Sequence, residues 1–330
     1  MNKQLLALVF AILAAVLYAI NIPLSKLLLD CVHPVLMASF LYFGAGIGML
    51  GYSLVSKENQ KSKLSKKELP FTITMILLDI IAPILLLLGL QTANTSNASL
   101  LNNFEIVATS IIALFFFKEL ISKKMWIAIF LVTISSTLLS LENIAALKFS
   151  WGSIFIILAC ISWGFENNCT RVLSSKSTFQ IVIIKGMFSG LGSLLIALII
   201  KIDFPSIHFI LLTLLLGFIS YGLSIYFYVK AQSVIGAAKT SAFYSLSPFI
   251  GSLLSFIIIK EALSSNYIIS LIIMLLGTLL IVFDTLFISH IHIHSHEIPG
   301  MDSVQVHSHI HFHWQKNQNI HKHNYMKKFT

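Results

Sequence analysis

A chain of 330 residues that is 57% hydrophobic and only 11% charged falls well short of the roughly 25% charged content of a soluble domain. With a mean hydropathy of +0.88, water-soluble enzymes and nucleic-acid-binding domains are set aside. The net charge of +9 is therefore read as membrane topology, with no nucleic-acid partner expected. A bilayer core takes about 20 apolar residues per helix. Ten such runs are predicted, at 5–29, 35–55, 71–90, 98–117, 125–141, 151–173, 178–200, 207–229, 237–259 and 267–288.

The first run follows Met-Asn-Lys and is apolar for too long to be a cleaved signal peptide, so it is expected to stay as a span. It carries Asn21, Pro23 and Lys26 near its end. The second run is lined with Gly44, Ala45, Gly46, Gly48 and Gly51, small residues that favour close helix packing over a hinge. A lysine-rich loop at 56–69 then leads to the third run, where Pro83 is expected to kink the helix that carries Asp79. Asn102, Asn103 and Glu105 lie in the fourth run.

The sixth run contains Trp163, Glu166, Asn167 and Arg171, and the seventh places Lys185 directly before the Gly186 and Gly190 face. Lys185 reads equally as a functional cation or as one that snorkels to the interface. In the ninth run Tyr244, Ser247 and Pro248 interrupt the apolar pattern.

The runs repeat. An offset of 142 positions lays Gly44 on Gly186, Ser99 on Ser241, Lys118-Glu119 on Lys260-Glu261, and Glu142 on Asp284. A constant offset of this kind marks an internal duplication. The chain thus divides into a first repeat (1–147), a second repeat (148–288) and a tail (289–330). Lys and Arg concentrate in alternate loops: Lys57, Lys61, Lys63, Lys66 and Lys67, then Lys118, Lys123 and Lys124, then Arg171 and Lys176, then Lys230. The other loops hold only Lys26, Lys148, Lys201 and Lys260. By the positive-inside rule both termini face the cytoplasm. With an odd number of helices per repeat, the second repeat runs inverted. The fold class expected is an all-α membrane protein of ten transmembrane helices in two inverted five-helix repeats, followed by a disordered His-rich tail.

Ionisable groups within a span are expensive and normally face a protein interior or a wet cavity. On that ground the candidate solute-binding residues are Glu105, Asn102, Asn103, Glu166, Asn167, Arg171, Lys185, Tyr244, Ser247, Asp79 and Asn21. Glu105 suits handling of a proton or a cationic solute, Arg171 and Lys185 could hold an anionic group, and the amides with Tyr244 would orient the solute. Ser247 stands opposite Glu105 in the repeat register, so the two halves line the site asymmetrically. No nucleotide-binding phosphate loop and no nucleophile, base and oxyanion arrangement can be recognised, so neither a hydrolysis-driven pump nor an enzyme is expected.

In the tail, His290, His292, His294 and His296 alternate, as do His307, His309, His311 and His313. Alternation sets imidazoles along one edge of an extended chain, and neutral imidazoles are good ligands for Zn, Ni, Co or Cu. A metal buffer, a regulatory sensor and a neutral low-complexity tail all fit that pattern. No cofactor is required. Cys31, Cys160 and Cys169 have no ligand spacing and read as packing residues.

Leu90-Gln-Thr-Ala-Asn-Thr-Ser-Asn-Ala-Ser before the fourth run, and Phe117-Lys-Glu119 and Ile259-Lys-Glu261 before the last run of each repeat, resemble the EamA-type transporters of the drug/metabolite transporter superfamily. Glu105 matches a position where many members have Glu-Pro, although Ile106 follows here. The His-rich tail is similar to that of a bacterial subgroup. The resemblance implies a secondary transporter of a small metabolite or organic solute, working by alternating access and coupled to protons for export. The alternatives are a metal-responsive membrane sensor that uses the tail, or a divalent-metal transporter. Lipid and a small solute are the expected partners, and a homodimer is left open.

Overall fold

The computed structural model describes residues 3–56, 62–92, 104–140, 151–260, 266–297 and 304–314. Helices dominate it. The first apolar run is broken at Ile20 into α1 (Lys3–Ala19) and α2 (Asn21–Leu29). α3 (Pro34–Val55) starts on a proline, whose missing N–H is no loss in a first turn, and His33 Nδ1 accepts from the Val35 N–H at 3.3 Å. A 3-10 turn (Lys66–Glu68) leads into α4 (Leu69–Thr92). Here Glu68 Oε2 accepts from the Ser65 N–H at 2.7 Å and from Ser65 Oγ at 2.6 Å, and Lys176 Nζ lies 3.1 Å from Glu68 Oε1.

The remaining helices are α5 (Phe104–Phe115), α6 (Lys123–Ser140), α7 (Trp151–Leu173), α8 (Thr178–Ile199), α9 (Ile207–Gly217), α10 (Ser224–Ile235), α11 (Ala237–Tyr244), α12 (Ser247–Ile259) and α13 (Tyr267–Leu286). A single π turn, Phe218–Leu223, joins α9 to α10. Two strands follow, β1 (Phe287–Glu297) and β2 (Val304–Trp314).

Among the described residues, seven segments are long and apolar enough to cross a membrane: Lys3–Leu29, Pro34–Val55, Lys66–Leu86, Thr178–Ile199, Ile207–Ile235, Ala237–Ile258 and Tyr267–Leu286. Phe104–Phe115 is a shorter apolar helix. Large apolar side chains such as Leu54, Ile199 and Ile268 point outward, while Ser39, Ser110, Ser224 and Thr240 are fully or nearly fully buried. That inversion suits lipid, where apolar side chains gain nothing by leaving the surface and helices associate through small residues and interhelical hydrogen bonds. Ser39 Oγ donates to the Gly190 carbonyl at 2.9 Å, Ser224 Oγ to the Ala14 carbonyl at 2.8 Å, and Ser135 Oγ to the Ser270 carbonyl.

Helix neighbours are specific. α3 packs on α8, α4 on α7, α6 on α13, α1 on α10 and on α12, and α5 on α7. The α3–α8 contact is as close as the glycine face allows: a Cβ on Gly186 would collide with the Gly46 backbone. This is tight packing, as the small-residue spacing predicts.

The tail differs from expectation. Over 287–297 and 304–314, instead of lacking structure, the backbone forms an antiparallel pair, β1 with β2, whose register sets His290 opposite His311, His292 opposite His309 and His294 opposite His307. The physical reason is in the pattern itself, since alternation of His with Ile, Phe or Val has the period of a strand.

Candidate functional site

Where α1, α3, α4, α5, α7, α8, the π turn, α10 and α11 converge they enclose a cavity of about 290 Å³. Among the described residues its charged groups come from four helices: Asp79 of α4, Glu105 of α5, Glu166 of α7 and Lys185 of α8. Lys185 Nζ lies 2.8 Å from Glu166 Oε1 and 3.2 Å from Asp79 Oδ2. Each of the three is at least 94% buried, at 6%, 3% and 1% exposure. Thr170 Oγ1 donates to Glu166 Oε1 at 2.5 Å and Tyr42 Oη to Asp79 Oδ1 at 3.3 Å. Lys185 is thus an interior cation clamped between two acids, and its ammonium is committed to them.

Glu105 is arranged differently. Among the described residues it forms no ion pair, and its Oε1 accepts from Asn167 Nδ2 at 3.0 Å. Asn167 is itself fixed: Tyr228 Oη donates to its Oδ1 at 3.1 Å, and Gln232 Nε2 donates to its carbonyl at 3.1 Å. The next residue, Asn168, donates to the Thr109 carbonyl of α5 at 3.0 Å, which pins the helix that carries Glu105.

Around these groups runs an aromatic wall. Ring centroids are 5.3 Å apart for Tyr42–Tyr221, 5.7 Å for Tyr18–Tyr221, 5.1 Å for Tyr18–Tyr244 and 5.0 Å for Tyr228–Tyr244. Tyr221 is carried by the π turn, a distortion often found at functional sites. Pro83 also lines the cavity. Having no N–H, it cannot donate to the carbonyl one turn earlier, that of Asp79.

Of the residues singled out in the sequence, Asp79, Glu105, Glu166, Asn167, Lys185 and Tyr244 meet in this cavity. Arg171, in the last turn of α7, does not line it. Neither does Ser247, which lies past the break after α11, nor Asn21, which accepts from Ser25 Oγ at 2.7 Å within α2. Asn102 and Asn103 lie outside the described residues. Tyr42, Tyr221, Tyr228 and Thr170 were missed. The available signal was a tyrosine deep in an apolar run, since a buried hydroxyl needs a polar partner.

Outside the cavity lining, polar contacts join the segment between α5 and α6 to α11 and α13. The Glu119 carboxylate accepts from the Ala237 N–H at 3.0 Å and the Ala238 N–H at 3.4 Å, capping α11. Asp284 accepts from Ser122 Oγ at 2.5 Å and pairs with Lys239 Nζ at 2.8 Å. Gly236, at φ 85°, presses against Glu119 where a Cβ would overlap the carboxylate. Gly236→Ala is therefore expected to lower stability by more than about 1 kcal/mol, through the left-handed backbone and the displaced cap. Thermal unfolding in detergent checks this.

A multi-pass membrane protein enclosing a charged, tyrosine-lined cavity is thereby defined. The chain belongs to the EamA-like transporter family, which it matches over residues 5–141 and 150–283. It is 27% identical over 304 residues to an uncharacterized transporter of Methanothermobacter thermautotrophicus, a match spanning 84% of this chain and 87% of that protein. A protein of known crystal structure, 13% identical, superposes with a TM-score of 0.70 over 83% of this chain and 95% of its own. At that identity the likeness is one of fold alone.

Proposed function

We infer that this chain is a secondary transporter that exports a small organic solute across the cytoplasmic membrane by alternating access, exchanging it for protons at Glu105. The observation that carries the reading is Glu105 itself, a carboxylate enclosed in the cavity with an amide partner and, among the described residues, no cation. A group placed so can release a proton when a solute arrives and regain it when the solute leaves.

Ten spans in two inverted repeats, 1–147 and 148–288, supply the machinery. Two observations support the repeat. Lys118 and Lys260, one repeat offset apart, are both left-handed, at φ 54° and 59°. The helix pairing also exchanges correctly: α1 on α10 is the counterpart of α7 on α4, and α1 on α12 of α7 on α5. With lysines of the α5–α6 turn on the cytoplasmic side, the Glu119 and Asp284 contacts close the cytoplasmic mouth, and they must break for solute to enter. Proteoliposomes with an imposed pH gradient test this reading. Saturable solute flux that collapses with the gradient is expected. Absence of saturable flux for every solute class would favour a sensor.

A second, regulatory reading is favoured by the hairpin register. Three facing histidine positions, His290 with His311, His292 with His309 and His294 with His307, share one face of β1 and β2. His296 and His313 continue the two rows beyond the facing pairs. We propose that this ladder binds Zn, Ni, Co or Cu as a buffer or sensor. Imidazole must be neutral to bind metal, so Zn titration of the purified protein is expected to show binding at pH 7.5 that weakens below about 6.5. Removing residues 289–330 should abolish it and spare solute flux.

A further inference from the structure

The solute's chemical class follows from how charge is distributed around the cavity, given the transporter reading above. Among the described residues, three carboxylates and one ammonium line it: Asp79, Glu105, Glu166 and Lys185. The ammonium is held at 2.8 Å and 3.2 Å by two of those carboxylates. A solute carboxylate or phosphate entering the cavity would find no free cation among the described lining residues, and would face the Glu105 charge. An entering ammonium would find that carboxylate unpaired by any cation among the described residues.

Aromatic geometry points the same way. Tyr42, Tyr221, Tyr18, Tyr244 and Tyr228 form an unbroken series of rings with centroids between 5.0 and 5.7 Å apart, and Trp163 adds an indole to the lining. Ring faces attract cations that come within about 6 Å of the centroid, and enclosure by several rings is how proteins recognise quaternary and substituted ammonium groups. The volume of about 290 Å³ lies at the small end of ligand pockets, which run from roughly 300 to 1,000 Å³. A monoamine with one ring or a short chain fits a space of that size.

We propose that the cavity binds small organic amines in their ammonium form, with Glu105 as counter-ion and the tyrosine series as the wall that accepts the cation and its apolar substituent. Anionic metabolites, nucleotides among them, are excluded. The committed ammonium of Lys185 sets this selectivity, because it removes the one cation among the described lining residues that could have held an anion.

Calorimetry on the purified protein in detergent tests the proposal without requiring transport. Phenethylamine and benzyltrimethylammonium are compared with 3-phenylpropionate, which matches phenethylamine in size and shape but carries the opposite charge. Both cations are expected to bind, with 3-phenylpropionate at least tenfold weaker. Glu105→Gln should weaken phenethylamine on the order of 100-fold, as expected for loss of one partner of an enclosed charge pair. Tyr18→Leu should weaken it while Tyr18→Phe, which keeps the ring, should not. A thermal melt like that of the wild type establishes that each variant is folded. Three results would overturn the proposal: binding of 3-phenylpropionate equal to or tighter than phenethylamine, undiminished amine affinity in folded Glu105→Gln, or no binding of either cation. Amine binding without gradient-driven flux would instead remove the transport mechanism and leave the ligand class standing.

Discussion

Replacing Lys185 by methionine is expected to destabilise the protein by about 3–5 kcal/mol, the cost of removing one partner from a buried ion network. Methionine fits the same space, so the loss is electrostatic. Asp79 and Glu166, 1% and 3% exposed, would be left with no ammonium between them. Their remaining partners, Tyr42 Oη and Thr170 Oγ1, are neutral hydroxyls. Thermal unfolding in detergent reads the effect, and a second variant locates its cause. Adding Asp79→Asn to Lys185→Met should recover part of the loss, because contacting charges do not act additively. A melt for Lys185→Met within 1–2 °C of wild type would mean that the clamp is not formed in the membrane.

Glu105→Gln should have the opposite profile, with an intact fold and gradient-driven flux lowered on the order of 100-fold, equivalent to about 2.7 kcal/mol. Glutamine keeps the length and an oxygen that can accept from Asn167 Nδ2, now 3.0 Å from the carboxylate, so α5 and α7 remain joined. What disappears is the ability to carry a charge and exchange a proton. At solute concentrations that saturate the variant, counterflow, which needs no proton release, would fall less than flux driven by a pH gradient. Equal activity of the two proteins under a gradient would take Glu105 out of the coupling step.

The ionisable residues of the site could be read from the sequence because an acid or lysine within an apolar run is expensive unless it has company. That argument finds Asp79, Glu105, Glu166 and Lys185 one at a time. It does not show who pairs with whom: Lys185 meets Asp79 across 106 positions of chain, and only the packing of α8 against α4 brings them together. Hence an expected anion-holding lysine turned out to be neutralised. Arg171 misled for a related reason. It lies one turn beyond Asn167 on α7 but does not line the cavity, although Thr170 beside it does. The tyrosines were hidden because an apolar count treats them as ordinary hydrophobic residues, and a π turn leaves no compositional trace. In the tail the alternation was visible, but the register that sets histidine against histidine depends on how the two strands align.

Cysteine accessibility from both sides of the membrane probes the transport mechanism most directly. Cys31, Cys160 and Cys169 would be replaced, and a single cysteine placed at Ala38, which lines the cavity on α3. Right-side-out and inside-out vesicles would then be treated with a thiol reagent that cannot cross lipid. A cavity that opens alternately to each face should be labelled in both preparations, and a bound amine should slow both reactions. Labelling confined to one orientation, unchanged by a pH gradient or by solute, would contradict alternating access.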